Sequence, residues 1–553
     1  MCSNRIAHPV RILAACAVLF SLGVTANAQL RSEGLDDLNL WGVNFLEKDE
    51  TALSDQSWSA PDGETLLALT RRARTRKLSP VEQDLMRRLV LSSADAPEGE
   101  AADAVLAERV RLMFQIGEAS AAAQILPSLK TAPLELENEE IAIDLQLAIG
   151  QTEAACLSGA GAGKTGAFWA KLSAVCFALT DNFEEAELAM ELAGAQGAND
   201  EWLSRAIFAA SGALEVKPEA RFDSGMSLAI SAKAGLEPSI STIANSRLDL
   251  AAAIARQDTF TPSMRVQAAG VAAEAGLLSG EEHRALYRAL VQSEGFSPRT
   301  SLEVALHTNF KSRSDAGAKA RTIRAALQAA RGNAARYSAV ARLLLPDLLA
   351  IKPSAQTERM AIDFVSASLA AGAPEAAVQW IEGSPDADEN LFTRIWTAGV
   401  LALSGADISG AQTPEQLKEA FSSRQVEAIA SGLVANSKTQ KQKQAATRLF
   451  VLWHAVGIEL PADARQMLTR PEASDAAGRT QVSPFLLASI GAAAEQGAGA
   501  EAILRLIEVT DGDASRLPTM AAASLVAALR ALGQEDAARM LALNATGYWR
   551  RSL

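Results

Sequence analysis

Residues 532–538, with the sequence LGQEDAA, illustrate how the chain passes from one helix to the next. Gly533 is a residue type that ends helices, and Ala538 stands five positions later, within a new run of apolar residues at helical spacing. An alanine at this position lets the new helix lie close to its neighbour. The same spacing recurs at three earlier turns, which join Gly117 to Ala122, Asp181 to Ala186 and Gly372 to Ala377. The pattern predicts short helices packed in antiparallel pairs.

Start signals for further helices recur from Asp62 onward, about every 15 to 20 residues. Residues 79–82 (SPVE) and 279–282 (SGEE) match the capping box, in which serine and glutamate side chains bond to free backbone N–H groups. Thr261 and Thr413 each precede a proline at the first position of a helix. Alanine and leucine dominate while aromatic residues make up 5% of the chain, which favours helices over strands. We therefore predict an all-α protein of about 25 helices.

Short helices of this kind bury their apolar faces by stacking on one another. The predicted architecture is an α-solenoid, a right-handed superhelix of antiparallel helix pairs. Residues 181–186 (DNFEEA) and 532–538 resemble the turn and second helix of the tetratricopeptide repeat. The four turns lie 64, 191 and 161 residues apart, however, and not at the ~34-residue period of that repeat. The resemblance is therefore to a degenerate, TPR-like superfamily.

The region from about residue 58 to residue 212 also resembles a poorly characterised group of exported bacterial helical-repeat proteins. The resemblance rests on Trp58, on residues 85–91 (LMRRLVL), on residues 168–172 (FWAKL), and on Cys156 and Cys176. It implies kinship in fold and in export. It carries no activity and no catalytic residues with it.

The first 28 residues have the parts of a secretory signal peptide. Arg5 and Arg11 supply positive charge, residues 12–24 form an apolar stretch, and small residues lead to Ala28. We expect cleavage between Ala28 and Gln29, and hence a periplasmic or secreted protein.

A lipid anchor is the alternative interpretation of this leader, because residues 13–16 (LAAC) match the short consensus of a lipoprotein cleavage site ending at Cys16. Most of the apolar stretch follows Cys16, whereas a lipoprotein signal carries its apolar core before the cysteine. An uncleaved anchor is a third alternative, although 13 apolar residues are few for spanning a bilayer. No later stretch approaches the ~18 apolar residues of a transmembrane helix.

We divide the chain by composition into a signal peptide at 1–28, an extended or capping segment at 29–60, a helical-repeat solenoid at 61–405 and a C-terminal helical lobe at 406–553. The capping segment has no sustained helical period, so we expect it to lie against the body or a partner, or to cover the first helix pair. Residues 405–412 suggest a soft hinge and residues 470–484 a second break; ordinary loops between helices are the alternative.

Two cysteines, Cys156 and Cys176, remain after removal of the leader. In an oxidising compartment they are expected to form one disulfide, and the alternative is two separate buried thiols. No other covalent cross-link is predicted.

The charge of the chain argues against nucleic acid as a ligand. Loss of the two arginines in the leader changes the formal net charge from -13 to -15. Within this acidic protein, residues 311–342 hold eight lysines and arginines against one acid. Arg321, Arg324 and Arg331 fall in one helical sector of about 80° and are predicted to form a basic face that receives an acidic partner.

Residues 71–77 contain a second basic cluster, made of Arg71, Arg72, Arg74, Arg76 and Lys77. For both clusters the alternative is a solvated helix face, or ion pairs with neighbouring repeats. The two interpretations differ in whether the cations have partners within the protein.

Sequence motifs for catalysis and cofactors are weak. Residues 159–165 (GAGAGKT) resemble a phosphate-binding loop, but Ser158 occupies the position of the first glycine and a helix, not a strand, is expected before it. A flexible loop between the two cysteines is the preferred interpretation. His283, His307 and His454 lack metal-ligand spacing. We therefore expect no nucleotide, no cofactor, no metal and no catalytic residue.

The preferred hypothesis for function is an exported scaffold that binds proteins or cell-envelope components on a curved surface, without catalysis. One alternative is a muramidase-like enzyme that acts on glycan through a glutamate with a raised pKa and a facing carboxylate. The other is a structural envelope component that associates with itself.

Overall fold

A computed structural model of the protein describes residues 39–48, 50–161, 165–311, 315–382, 391–405, 423–469 and 480–550. Two compact units divide the chain, Met1–Asn39 and Leu40–Leu553, and every helix below belongs to the second. The predicted signal peptide, its cleavage site at Ala28 and Gln29, and Cys16 lie outside the described residues. So do residues 406–412 and 470–479, where most of the two predicted breaks fall.

The prediction of an all-α protein is confirmed, with 27 α-helices and no strand in the described part of the chain. The first nine are α1 (Gly63–Ala73), α2 (Pro80–Leu91), α3 (Ala102–Gln115), α4 (Ala119–Ile125), α5 (Asn138–Ala148), α6 (Thr152–Gly161), α7 (Ala167–Leu179), α8 (Phe183–Ala195) and α9 (Glu201–Ala210). The next nine are α10 (Gly225–Ala234), α11 (Ile240–Ala244), α12 (Leu248–Arg256), α13 (Pro262–Glu274), α14 (Gly280–Gln292), α15 (Ser301–Phe310), α16 (Ala316–Ala330), α17 (Ala334–Ala350) and α18 (Ala361–Ala370). The last nine are α19 (Pro374–Glu382), α20 (Leu391–Leu403), α21 (Ser423–Asn436), α22 (Gln440–Ala455), α23 (Ala462–Leu468), α24 (Pro484–Glu495), α25 (Gly499–Thr510), α26 (Thr519–Ala531) and α27 (Glu535–Thr546).

Helix starts follow the capping chemistry of the sequence. In α14 the backbone N–H of Glu282 donates to the Ser279 hydroxyl (3.1 Å), and the N–H of Ser279 donates to the Glu282 carboxylate (2.9 Å). Ser79 begins α2 with the same capping box, and the Thr261 side chain caps α13. These three starts are confirmed, while Thr413 lies outside the described residues.

The four predicted turns share one geometry. Gly117, Gly372 and Gly533 have φ values of 88°, 76° and 73°, and Asp181 has a φ of 65°. This left-handed backbone ends a helix and suits glycine best. The alanines five positions later are all fully buried, namely Ala122, Ala186, Ala377 and Ala538. The predicted pairing of a turn residue with a buried alanine is therefore confirmed at every one of the four turns.

Helices that follow one another along the chain pack side by side, as in α7 with α8, α12 with α13, α15 with α16, and α18 with α19. Such nearest-neighbour packing is typical of repeat arrays. The superhelical winding and its hand stay predictions.

The two ends of this helical array pack against each other, which the sequence did not suggest. Helix α1 packs on α25, and α2 packs on both α25 and α27. The Arg88 guanidinium donates to the side-chain carbonyl of Gln534 (3.2 Å) across this junction. An open array would leave its terminal repeats with one neighbour each. Helices on both sides of the predicted division at residue 405 therefore share a core here, although the division itself stays a prediction.

Residues 40–48 and 50–60 lie across the end of α2. Trp41 and Trp58 are buried with ring centroids 5.6 Å apart, and Trp58 Nε1 donates to a backbone carbonyl of α2 (3.0 Å). The guanidinium of Arg109 lies 5.4 and 5.8 Å from the two ring centroids, and its Nε donates to the Val90 carbonyl (2.9 Å). Burial lowers the pKa of Arg109 to about 10. This part of the capping segment therefore packs on the body.

Candidate functional site

Exposed apolar side chains are concentrated in one stretch of the protein. Of twelve large apolar side chains that are exposed in the described part of the chain, seven lie between residues 149 and 216. They are Ile149, Leu157, Phe177, Leu188, Leu192, Phe208 and Val216. Soluble proteins rarely expose large apolar side chains in groups, and such groups mark interaction sites. This stretch is therefore the candidate site.

A groove of about 570 Å³ runs between α6 and α7. Leu157 of α6 and Phe177 of α7 line it and are 68% and 37% exposed. The groove continues to Thr180 and Asn182, in the turn that begins α8. Its volume and its apolar lining suit one or two large side chains of a partner.

The disulfide between Cys156 and Cys176, whose Cα atoms lie 5.6 Å apart, joins α6 to α7, and α6 also packs on α5. Ala155 is the one fully buried residue among the side chains described in α6. Gly159 lets α6 approach α7 closely, because a Cβ atom there would lie 2.5 Å from a methyl group of Leu172. The disulfide and this close contact therefore hold the two walls of the groove together.

Helix α8 carries the second apolar element of the site. Ala186 and Ala193 bury one side of the helix against α7. Leu188 and Leu192 lie about 200° and 240° round the helix from Ala186, on the opposite side, and are 67% and 55% exposed. An apolar pair at i and i+4 on an outward face has no role in the core of this protein.

Exposed glutamates accompany both apolar elements. Glu153 lines the groove, and Glu184, Glu185 and Glu191 are exposed on α8. None of the four forms an ion pair within the described ranges. Two lysines of this region already pair with acids, Lys171 with Asp200 (3.2 Å) and Lys233 with Asp181 (2.7 Å). We call the groove and the outward face of α8 together the α6–α8 surface, and the four glutamates beside them its rim.

Two of the three arginines in the predicted basic face of Arg321, Arg324 and Arg331 pair with an acid of the protein itself. Nε of Arg324 lies 2.8 Å from a carboxylate oxygen of Asp363, a fully buried residue of α18. Arg331 donates a hydrogen bond to the other oxygen of the same carboxylate. Arg321 is exposed. The structure therefore favours ion pairing between neighbouring helices for Arg324 and Arg331, and the acidic partner stays a prediction.

The second basic cluster also pairs with acids of the protein. Arg71 and Arg74 lie 3.5 Å from the carboxylate of Glu108. Arg72 lies 3.4 Å from Glu508, and Arg76 lies 3.7 Å from Asp511, at the junction of the two chain ends. Arg71 and Arg72 remain more than half exposed, so each pair is worth little by itself.

The predicted loop at residues 159–165 is wrong in its first part. Helix α6 continues through Gly161, because glycine tolerates helical backbone and Gly159 is needed for contact with α7. Helix α5 precedes α6, so the strand that a phosphate-binding loop requires is absent from this described region. Residues 162–164 lie outside the described residues.

The histidines occupy unrelated positions. His283 is buried, and burial together with the charge of Arg342 lowers the pKa of the imidazole to about 4. His307 packs on the ring of Phe296 at a centroid distance of 5.9 Å, and His454 is exposed. In the residues that the structure describes, no group of histidines, cysteines and acids is arranged to hold a metal ion.

Carboxylates with a raised pKa lie away from the groove. Burial raises the pKa of Glu82 and of Asp144, and both are enclosed between helices. Glu153 is the one carboxylate lining the groove, so no facing pair is present there. The arrangement that glycan hydrolysis requires is therefore not formed at this site.

Comparison with protein-family models, with curated proteins and with solved structures found no match to this chain. The TPR-like resemblance accordingly stays an interpretation of residues 181–186 and 532–538. No helix in the described ranges combines the length and the apolar composition needed to cross a membrane.

The α6–α8 surface was not predicted from the sequence. The signal was present in residues 183–195 (FEEAELAMELAGA), where apolar residues fall on two opposite sides of one helix. Ala186 and Ala193 account for the buried side, which leaves Leu188 and Leu192 unexplained by packing. Helix α8 therefore carries more apolar surface than its one buried face requires.

Proposed function

We propose that this protein is an exported, non-catalytic helical-repeat scaffold that binds a partner protein on the α6–α8 surface. The partner contributes a segment with large apolar side chains flanked by lysines or arginines. Its apolar side chains enter the groove and cover the outward leucines of α8. Its basic residues pair with the glutamates of the rim.

The single observation behind this proposal is the exposure of Leu157, Phe177, Leu188 and Leu192 beside glutamates that form no ion pair with any described residue. Apolar anchors supply most of the affinity at protein interfaces, and complementary rim charges accelerate encounter and select the partner. The rim is negative, so charge complementarity favours a basic segment over an acidic one.

Export is supported by the leader-like pattern of residues 1–28 and by the disulfide that holds α6. Disulfides persist in compartments outside the cytoplasm. Because the disulfide supports one wall of the groove, the same oxidising environment would maintain the binding site.

Site-specific photocrosslinking in the cells that make the protein tests this function. A photoreactive amino acid replaces Leu157 or Leu188 in the full chain, and Leu349 of α17, also an exposed leucine, is the matched control position. Mass spectrometry then identifies the crosslinked peptides. We expect the same partner segment, rich in lysine or arginine around apolar residues, at positions 157 and 188 and not at position 349.

Three results would contradict the proposal. Identical products at positions 188 and 349 would mean that the crosslinks are non-specific. Crosslinks between two copies of this chain would support the self-associating component instead. A recurrent acidic segment would reverse the assigned charge of the partner.

A further inference from the structure

A second cavity, of about 490 Å³, opens between α14 and α15, away from the α6–α8 surface. Its walls include three basic side chains, an imidazole, a phenyl ring and an amide, and no carboxylate lines it. We call this cavity the α14–α15 pocket, with the lining residues Arg284, Arg288, His307, Asn309, Phe310 and Lys311. A cavity free of acids is unusual in a chain with a formal net charge of -13.

Two arginines of the pocket lie over one aromatic ring. The guanidinium carbon of Arg284 is 4.8 Å from the ring centroid of Phe310, and that of Arg288 is 5.4 Å away. Arg284 is compensated by two hydrogen bonds to the carboxylate of Asp347 (2.6 and 2.8 Å). Arg288 pairs with no carboxylate in the described part of the chain. Phe310 therefore fixes one uncompensated guanidinium at the pocket.

The helix dipole of α15 explains part of the positive charge at the pocket. Lys311 and His307 lie at the C-terminal end of α15, where cations complement the helix dipole. Arg288 lies in the middle of α14, so the dipole does not explain it. Arg288 is exposed and pairs with no carboxylate of the described residues, so its charge is accessible to a ligand.

Asn309 supplies an independent observation. The residue is 8% exposed, and its Nδ2 donates to the Ala305 carbonyl (2.7 Å), which fixes the orientation of the amide. The buried Oδ1 accepts no hydrogen bond from the described residues. A buried acceptor without a donor is unfavourable. Asn309 therefore adds to the pocket wall a buried acceptor that lacks a donor among the described residues.

We propose that the α14–α15 pocket binds an acidic sugar, meaning a small polyhydroxylated ligand that carries a carboxylate or a phosphate. The anionic group pairs with Arg288, and Lys311 adds a second positive charge. A hydroxyl group of the sugar donates to Asn309 Oδ1. The volume of the pocket suits a mono- or disaccharide.

Isothermal titration calorimetry on the full chain tests this site with four probes: glucuronate, glucose 6-phosphate, glucose and inorganic phosphate. We expect at least one of the two acidic sugars to bind, with an affinity that falls as sodium chloride is added. Which of the two binds identifies the anionic group. Glucose, which lacks the charge, and phosphate, which lacks the sugar hydroxyls, are expected to bind at least roughly fivefold more weakly.

The variant Arg288→Gln, which removes one exposed charge of the pocket, is expected to weaken acidic-sugar binding by roughly fivefold or more. Arg321→Gln on α16 is the matched control and is expected to leave binding unchanged, because Arg321 is exposed outside the pocket. Equal affinity in wild type and Arg288→Gln would overturn the proposal. So would the absence of binding by both acidic sugars, or phosphate binding as tight as that of glucose 6-phosphate.

Discussion

The hydroxyl of Thr510, at the end of α25, donates a hydrogen bond to Oε1 of Glu82, in the first turn of α2. These residues are 428 positions apart in the chain, and both are buried. The other oxygen of Glu82 accepts from the backbone N–H of Ser79 (2.5 Å). One side chain therefore caps a helix at the start of the array and joins it to a helix near the end.

Replacing Glu82 with alanine tests this junction. Glu82→Ala removes the cap of α2 and the partner of Thr510, and we expect the free energy of unfolding to fall by about 3 kcal/mol. Urea denaturation of the full chain measures the change. Glu82→Gln keeps the shape and the acceptor, so it is expected to stay within about 1 kcal/mol of wild type. Equal stability of the alanine variant and wild type would show that Glu82 does not couple the two ends.

His283 predicts a pH dependence of stability. Its pKa is lowered to about 4 in the folded protein, so on acidification the unfolded chain binds the proton first. The contribution of this imidazole to the free energy of unfolding is fully present above its ordinary pKa of about 6.5. It is lost as the pH falls from there to about 4, and the loss amounts to up to about 3 kcal/mol.

Unfolding curves for wild type and His283→Leu at several pH values isolate this contribution. The stability difference between the two proteins should change in favour of the variant as pH falls from about 6.5 to 4. A difference that is constant over this range would mean that the imidazole is not buried in its neutral form.

The disulfide between Cys156 and Cys176 predicts a local effect. The double variant Cys156→Ser, Cys176→Ser opens a loop of sequence separation 20, and the loop-entropy model gives a loss of about 3 kcal/mol. Since Ala155 is the one fully buried side chain described in α6, we expect amide exchange to accelerate most in Thr152–Gly161.

Two controls accompany this variant. Peptide mass mapping of the wild type with and without reductant should show a linked pair, and two free thiols would contradict the assignment. Exchange in α25, far along the chain, should change little if the effect is local.

A variant of Asp363 can distinguish the two interpretations of the basic face, which are ion pairing between helices and binding of an acidic partner. Asp363→Ala leaves Arg324 and Arg331 facing each other without a carboxylate, and we expect a loss of about 2 to 4 kcal/mol in urea denaturation. Arg321→Gln, on α16 with Arg324, is expected to change stability by less than about 0.5 kcal/mol, because Arg321 is exposed. Similar stabilities for both variants would count against the ion-pair interpretation.

Local chemistry in the sequence predicted local structure well. The turn residue Gly533 and the buried Ala538 are recognisable because a left-handed turn and a close helix contact each require a particular small residue. The capping box at Ser279 is recognisable for the same reason: every interacting group lies within four residues.

Long-range relationships were not predictable from the same patterns. Nothing near Glu82 indicates that its partner is Thr510, and the helical spacing of Arg324 does not reveal Asp363. The sequence gives the charge of a side chain. Which oppositely charged residue pairs with it depends on which helix packs against it. The outward leucines of α8 became significant only when the opposite side of the helix was found buried.

The crosslinked partner segment, made as a synthetic peptide, can be titrated into wild type and two variants. This titration tests whether the α6–α8 surface binds the partner. The double variant Leu188→Glu, Leu192→Glu removes the apolar face of α8, and Leu349→Glu is the matched change on an exposed leucine of α17. We expect the double variant to lose at least roughly tenfold in affinity for the peptide and Leu349→Glu to change it by less than roughly twofold. Circular dichroism should show that both variants are folded. Equal affinity for the double variant and wild type would contradict the assignment of the α6–α8 surface as the binding site.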